Sequence, residues 1–438
     1  MKASYYNHLV SNGPTATLIF NALRHSITEI DSEIAKRIEQ NDFAGIDPKT
    51  ISILKAQGII VDKLFDEKKY FLINHQKSKY HSDTAEFIIL TTYACNLSCP
   101  YCYEGHGQKS KLSKMFKKYM DLDTANRTVK FITNWSRDIG VKKIIITLFG
   151  GEPMLNIKIG LHIIREIYSF AMNNGIEFNC TAFTNGTLLT LEIINELKKY
   201  NFDKPLITLD GSRDYHNEKK VLAKKGTFDL ILGNIKLLQD NGLSTMIRIN
   251  VDRSNTGSID KLLSEIERSG LKKIELSFKP IHELTNRECK LCGYSDQEFA
   301  KFAPTLWEKA LKRGFAVANI DIYDSLVYCG NQMTNNLAID PFGDLYTCLN
   351  YVGNTEHRFG NIGDGTANPN FNHVYYDWMS RNPLDLDGCN NCKLLPICAG
   401  GCVGQAHNEK GGYHFGHCIT EKWLIPELVK LNYVYGKR

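Results

Sequence analysis

Cysteine carries the reactive potential of this 438-residue chain, because its thirteen cysteines fall in clusters. The segment TTYACNLSCPYCYEG, residues 91–105, sets Cys95, Cys99 and Cys102 in a C-x3-C-x2-C spacing. Three thiolates on one short loop suit a cubane iron–sulfur cluster, which takes cysteine ligands and normally needs four. One iron is then left open to a small molecule, by the logic that gives catalytic zinc its vacant position. The carboxyl-terminal third carries seven more: Cys329, Cys348, then Cys389, Cys392, Cys398 and Cys402 as C-x2-C-x5-C-x3-C, and Cys418. That four-cysteine run has a chance probability of roughly a few in ten thousand at this composition. Cys180 sits in an apolar stretch and reads as a packing thiol, while Cys289 and Cys292 lie between the two groups.

The elements that must position these groups follow from periodicity. Strands are expected at Phe87–Thr92, Lys143–Phe149, Glu177–Phe183, Leu206–Leu209, Met246–Val251 and Ile274–Phe278. Helices are expected between them, at Ala125–Ile139, Ile157–Met172, Leu191–Tyr200, Phe228–Gln239 and Ile259–Ser269. Gly140, Gly175, Gly242 and Gly270 stand where those helices should stop. Strands alternating with helices pair in parallel through right-handed crossovers, so the fold class is α/β, a partial (β/α)6 TIM-like barrel. Reactive groups then belong at the carboxyl ends of the strands. Residues 1–84 read as a small α+β, winged-helix-like module, with strands at Tyr5–Val10 and Ala16–Leu23, helices at Ser32–Gln40 and Pro48–Gln57, and a wing at Lys68–Asn74. The barrel spans 85–313. Residues 314–438 are rich in Gly, Asn, Asp and Cys, an irregular domain whose cohesion would come from metal.

Composition narrows the class. Hydrophobic residues make up 43%, and 53 basic against 48 acidic residues leave a charge of +5, too slight to indicate a nucleic-acid partner. No apolar run is long enough to span a membrane, and clustered thiols suit a reducing cytoplasm.

The first cysteine loop resembles the cluster-binding motif of the radical S-adenosylmethionine (radical SAM) superfamily, including Tyr101 just before the last cysteine. The resemblance extends to Gly150-Gly151-Glu152-Pro153 after the second core strand, a segment that in the family contacts the methionine amino group of the cofactor. Two glycines admit a close backbone approach and a carboxylate complements an ammonium. Thr184-Asn185-Gly186, Thr208-Leu209-Asp210-Gly211, Arg248 and Asn250 end later strands and are further cofactor candidates. The resemblance implies that S-adenosylmethionine is cleaved by one electron to methionine and a 5′-deoxyadenosyl radical, which abstracts hydrogen from substrate. The carboxyl-terminal cysteines resemble the SPASM extension of such enzymes. Its ligand order implies one auxiliary cluster on Cys389, Cys392, Cys398 and Cys418 and another on Cys329, Cys348 and Cys402, with Cys292 a candidate fourth ligand. Three [4Fe-4S] clusters and a one-electron donor such as flavodoxin or ferredoxin are thus expected.

Enzymes with this extension mostly act on peptides. The primary expectation is a maturase of a ribosomally made precursor peptide that installs a thioether or carbon–carbon cross-link. The module at 1–84 would bind the peptide's leader by adding it as a strand. The competing expectation is a sulfatase-maturating, formylglycine-generating enzyme. That family carries an aspartate just after the cysteine aligned with Cys348, where Leu349 and Asn350 stand here. A third reading, of another class, is a zinc-bearing nucleic-acid or adaptor protein, for which the lysines from Lys109 to Lys118 are the best basic patch. No residue identifies itself as a general base.

Overall fold

The structure is a computed structural model that describes residues 1–102, 118–281, 293–318, 320, 326–364 and 372–436. Cys289, Cys292 and all of the basic run except Lys118 lie outside the described residues.

The amino-terminal module is a three-stranded antiparallel sheet of β1 (Asn7–Ser11), β2 (Ala16–Asn21) and β3 (Ser26–Asp31), followed by α1 (Ser32–Glu39), α2 (Pro48–Ala56) and α3 (Glu67–Tyr80). The expected wing at Lys68–Asn74 is instead part of α3. Asp66 caps that helix by accepting from the Lys69 amide, and its buried face is Phe71, His75 and Lys79, spaced four apart. Glu67 is buried on the same face, so Phe71 is its only apolar member and there is no apolar period to read. Those polar groups are satisfied across the molecule: His75 Nδ1 meets the Leu326 carbonyl at 2.7 Å, and Lys79 Nζ donates to the Arg381 carbonyl at 2.9 Å. β3 was also not expected, since SITEID alternates weakly and is only partly buried.

The core unfolds along the expected alternation: β4 (Thr84–Thr92), α4 (Leu122–Ile139), β5 (Lys143–Gly150), α5 (Ile157–Asn173), β6 (Glu177–Thr184), α6 (Leu191–Lys198), β7 (Leu206–Thr208), α7 (Arg213–Lys219), α8 (Phe228–Asp240), β8 (Thr245–Val251), α9 (Ile259–Arg268) and β9 (Ile274–Pro280). The helices stop where a glycine takes the left-handed region, as at Gly140 with φ 68° after α4. Strands β4 to β9 pair in parallel, each beside the next. After α10 (Ala303–Lys312), the short β10 (Ala316–Val317) adds to β9. At the other edge β11 (Asn336–Ile339) pairs in parallel with β4, then turns antiparallel into β12 (Asp344–Tyr346) and β13 (Gly360–Asn361). One ten-stranded, open sheet therefore runs across the boundary at residue 313. Its strands and helices share one large core of Ile, Leu, Val and Phe, while Ile88, Leu90, Tyr93, Ala338 and Tyr346 form a separate cluster.

The rest of the described carboxyl-terminal region includes the helices α11 (His373–Ser380), α12 (Val403–Lys410) and α13 (Ile425–Tyr435), joined by short turns and irregular segments. Tyr6, Val10, Leu18, Phe20 and Phe71 of the amino-terminal module pack directly on Leu395, Ala399, Ile425 and Val429 of this region. No helix among the described residues is long and apolar enough to cross a membrane.

Candidate active site

β4 delivers the first cysteine loop to the carboxyl end of the sheet, and the strands beside it deliver everything else. A cavity of about 470 Å³ opens there. Its wall contains Cys95, Cys99, Tyr101, Cys102, Gly150, Gly151, Thr184, Asn185, Thr208, Arg248 and Asn250, so the sequence-expected residues of five strand ends converge on one space.

The glycine pair has a local cause. Gly150 has φ 133°, and a Cβ on it would stand 2.1 Å from the Thr92 carbonyl oxygen; one on Gly151 would stand 2.5 Å from that of Ala94. The pair lets the end of β5 press against the backbone that enters the cysteine loop, where the Gly151 amide donates to Thr92 O at 3.1 Å and the Glu152 amide to Ala94 O at 2.9 Å. The close approach expected toward a ligand is therefore, in the first instance, an approach to the cysteine loop itself.

Glu152 and Asp210 require correction. Both are fully buried and neither is in the cavity wall. Glu152 accepts from Thr184 Oγ1 at 2.7 Å, from the Asn185 amide at 2.7 Å and from the Met154 amide at 3.0 Å. These bonds tie β5 to β6, two of them on Oε1 and one on Oε2. Burial pushes the Glu152 pKa up, opposed by these donors. Pro153 is likewise buried, opening a single 3-10 turn, and only its carbonyl takes part in bonding, accepting from Thr91 Oγ1 at 3.4 Å. Asp210 accepts from the Tyr101 hydroxyl, from Asn250 Nδ2 at 3.0 Å and from the Asn250 amide at 3.2 Å, and Lys220 Nζ lies 3.4 Å away. It pins the last turn of the cysteine loop to β8 from behind the cavity. Asn185 does similar work in front, donating to Asn96 Oδ1 at 2.8 Å within the loop.

The wall also takes in Leu349 and Asn350, the residues after Cys348, and two polar residues that were not anticipated, Lys220 and Gln405. Lys220 follows α7 rather than a strand, so a search of strand ends passes over it. Gln405 stands three residues after Cys402, and its proximity to a candidate ligand was the available signal. Its Oε1 is buried without a hydrogen-bond partner among the described residues. Lys220 and Arg248 make the wall cationic. Burial holds the Arg248 guanidinium down to about 10, with Asp210 opposing.

The other cysteines form two groups. Cys389, Cys392, Cys398 and Cys418 line one cavity of about 170 Å³. Cys348 is buried, and its thiol is pushed well up by that burial and then by the neighbouring Cys402 and Cys329. Burial also raises Cys95 and Cys398, each to about 12. Such thiols ionise when a cation compensates them, which is the behaviour of metal ligands. Arg381, another residue the sequence did not signal, staples this region. It is buried and donates to the carbonyls of Tyr413 (2.9 Å), Ala399 (3.2 Å), Gly400 (2.6 Å) and Phe415 (2.9 Å), the segments that flank Cys398, Cys402 and Cys418. Cys180 is buried in the barrel, its Sγ 3.2 Å from the Tyr200 carbonyl. Three thiols thus share the barrel cavity, four line a second space, and Cys402 and Cys329 neighbour Cys348, although among the described residues no three His, Cys, Asp or Glu side chains are drawn close enough together to hold a metal ion.

Comparison with known proteins agrees with this geometry. The chain is 23% identical to the radical SAM cyclopropyl synthase TigE of Paramaledivibacter caminithermalis, over 98% of its own length and 95% of the relative's. It is 27% identical to a cysteine-type anaerobic sulfatase-maturating enzyme of Clostridium novyi, over 70% and 84%. The structure of Streptococcus suis SuiB bound to the precursor peptide SuiA superposes with TM-score 0.57 at 16% identity, covering 96% of this chain and 99% of that one. The signature of the Radical SAM superfamily matches residues 89–266, from the middle of β4 into the last turn of α9, so this part of the chain is a radical SAM domain.

Proposed function

We propose that this enzyme is a maturase of a ribosomally made peptide, oxidising or cross-linking a residue of a precursor through a thioether or carbon–carbon bond. The observation that carries the reading is the composition of the cavity: residues of the cysteine loop share it with Leu349, Asn350 and Gln405 from the carboxyl-terminal region. A substrate held there would touch both the cleaving and the auxiliary chemistry.

In this reading Cys95, Cys99 and Cys102 would hold the first [4Fe-4S] cluster, beside a bound S-adenosylmethionine. Cys389, Cys392, Cys398 and Cys418 hold one auxiliary cluster, and Cys329, Cys348 and Cys402 the other. The bound cofactor supplies a 5′-deoxyadenosyl radical when a donor such as flavodoxin or ferredoxin delivers an electron. The chain's own residues bind and shield. Lys220 and Arg248 offer charge to the cofactor's carboxylate, Thr184, Asn185 and Thr208 offer polar groups to its amine and ribose, and Phe149, Phe183 and Ile281 keep the wall apolar. The amino-terminal module would take the leader at β3, one of the two end strands of its sheet among the described residues.

The sulfatase-maturating alternative is weakened by the same wall. The two residues after Cys348 face the cavity as Leu349 and Asn350, neither of which accepts a proton as a carboxylate does. Anaerobic purification followed by iron and sulfide analysis, with 5′-deoxyadenosine measured by chromatography, tests the reading. Iron and sulfide near three cubanes are expected. Cys99→Ala should abolish deoxyadenosine while the auxiliary clusters survive; stoichiometric zinc without sulfide, or unchanged deoxyadenosine in that variant, contradicts it. Incubation with the short peptide encoded beside the gene should lower the peptide's mass by the hydrogens removed.

A further inference from the structure

β9 brings Lys279 to the carboxyl end of the sheet, and none of the chemistry above employs it. In the sheet register Arg248 pairs with Ser277 and Asn250 with Lys279. Arg248 and Asn250 line the cavity, and alternate residues of a strand share a face. Lys279 therefore shares the face of Arg248 and Asn250 and adjoins Pro280 and Ile281 of the wall, without itself lining the cavity. Among the described residues its ammonium has no hydrogen bond and no ion pair. The charged groups that act on it are Glu421, Arg248, Asp296 and the Cys329 thiol. Neither carboxylate is within ion-pair reach, and Asp296 is engaged by the Thr420 amide at 3.1 Å and by His417 Nε2 at 3.2 Å. Burial pushes the Lys279 pKa down, the mark of a cation short of compensation. Tyr328, which shares Glu421, Asp296 and Cys329 as neighbours, keeps 38% of its surface open. An ammonium withdrawn from water without a partner is costly, and an apolar side chain would have served to pack this strand end.

We propose that Lys279 is the substrate-recognition cation of this enzyme, binding the side-chain carboxylate of an aspartate or glutamate in the peptide segment that enters the cavity. The inference rests on the peptide-maturase reading and deepens it by naming an acidic substrate residue. Lys220, already paired with Asp210 on the far side, is left for the cofactor.

The test uses the reconstituted holoenzyme with S-adenosylmethionine and an mRNA-displayed library of random short peptides as the probe. Wild type should enrich aspartate or glutamate at one position by roughly tenfold or more, the factor expected of a charge-assisted hydrogen bond. Lys279→Met should lose that enrichment, and Lys279→Glu should replace it with lysine or arginine. Peptide-free deoxyadenosine formation, S-adenosylmethionine affinity by equilibrium dialysis and cluster midpoint potentials by EPR titration should match wild type in Lys279→Met. Three results would each overturn the proposal: no acidic preference in wild type, the same preference in Lys279→Met, or a Lys279→Met variant whose main defect is in cofactor affinity or in a cluster potential. Absence of deoxyadenosine in wild type would instead sink the radical SAM peptide reading on which it stands.

Discussion

Two glycines beside two cysteines allow the auxiliary sites to be tested by a single methyl group. A Cβ on Gly416 would lie 2.7 Å from Cys389 Sγ, whereas one on Gly404 would lie 3.9 Å from Cys348 Sγ and 3.6 Å from the Tyr351 ring. Nonbonded carbon contacts are comfortable at ~3.5–4.0 Å, so Gly416→Ala must displace the Cys389 sulfur or the 416 backbone by about 1 Å. The loop gives little, because the Cys389 amide donates to Leu386 O at 3.0 Å and the Cys392 amide to Cys389 O at 2.9 Å. Overpacking of this kind costs ~1–3 kcal/mol. More decisively, cluster ligands tolerate displacements of only ~0.2 Å, so Gly416→Ala should lose one cubane, about a third of the iron and sulfide of a three-cluster enzyme. Gly404→Ala should keep all of it, and should gain up to ~1 kcal/mol because the position is inside α12. Iron and acid-labile sulfide after anaerobic reconstitution, with thermal melting, give the readout. Full iron in Gly416→Ala, or an equal loss in both variants, would refute the assignment of Cys389 to a cluster.

Arg381→Lys leaves one ammonium to serve four carbonyls; at least two charged hydrogen bonds go, and the variant should be less stable by roughly 3–6 kcal/mol in calorimetry. A loss under about 1 kcal/mol would show that the staple is dispensable. Glu152→Gln turns a donor toward groups that are themselves donors, so it should cost ~1–3 kcal/mol and weaken S-adenosylmethionine binding through Thr184 and Asn185; dialysis showing wild-type affinity would contradict that route. Asp340 offers a pH test, since burial raises its carboxyl to about 6 from an unfolded value of 3.8. A raised carboxyl contributes stability below the unfolded value that is lost as pH rises through the folded one, so wild type should fall by about 1.4 kcal/mol relative to Asp340→Asn between about pH 5 and 7.5. Parallel melting curves for the two proteins across that window would be the contrary result.

The barrel was readable because each of its strands is short, apolar and bounded by a glycine or a cap, and each helix buries a single stripe. All six expected core strands and five helices are present to within a few residues. The cysteine loops were readable for a different reason: ligand spacing is set by local geometry, not by tertiary context. What escaped notice depends on tertiary context. α3 buries His75 and Lys79 against carbonyls more than 250 residues away, so its pattern is not amphipathic in any local sense. Glu152 and Asp210 were placed correctly at strand ends, but only the packed structure reveals which donors their oxygens accept from. Arg381, with its four carbonyls gathered from two loops, has no sequence signature at all.

The continuity of the sheet explains how two distant cysteine regions come to share one cavity. β4 ends at Thr92, three residues before Cys95, and along its other edge it carries β11 in register, Glu86 to Asn336 through Ile89 to Ile339. β11 turns through Asp340 and Gly343 into β12, which ends two residues before Cys348. Asp340 braces that turn, accepting from the Asp344 amide at 2.8 Å, and accepts from the Tyr93 hydroxyl at 2.7 Å, so one carboxylate joins the root of the cysteine loop to the hairpin that presents Cys348. The separation between the two regions is thus set by hydrogen-bonded strands rather than by a linker. Ladders of this kind are rigid on the scale of side-chain motion, so a substrate entering beside Leu349 and Asn350 meets both regions at a fixed spacing. A hinge between barrel and carboxyl-terminal region would have to break the pairing of β4 with β11, and would dismantle the cavity in doing so.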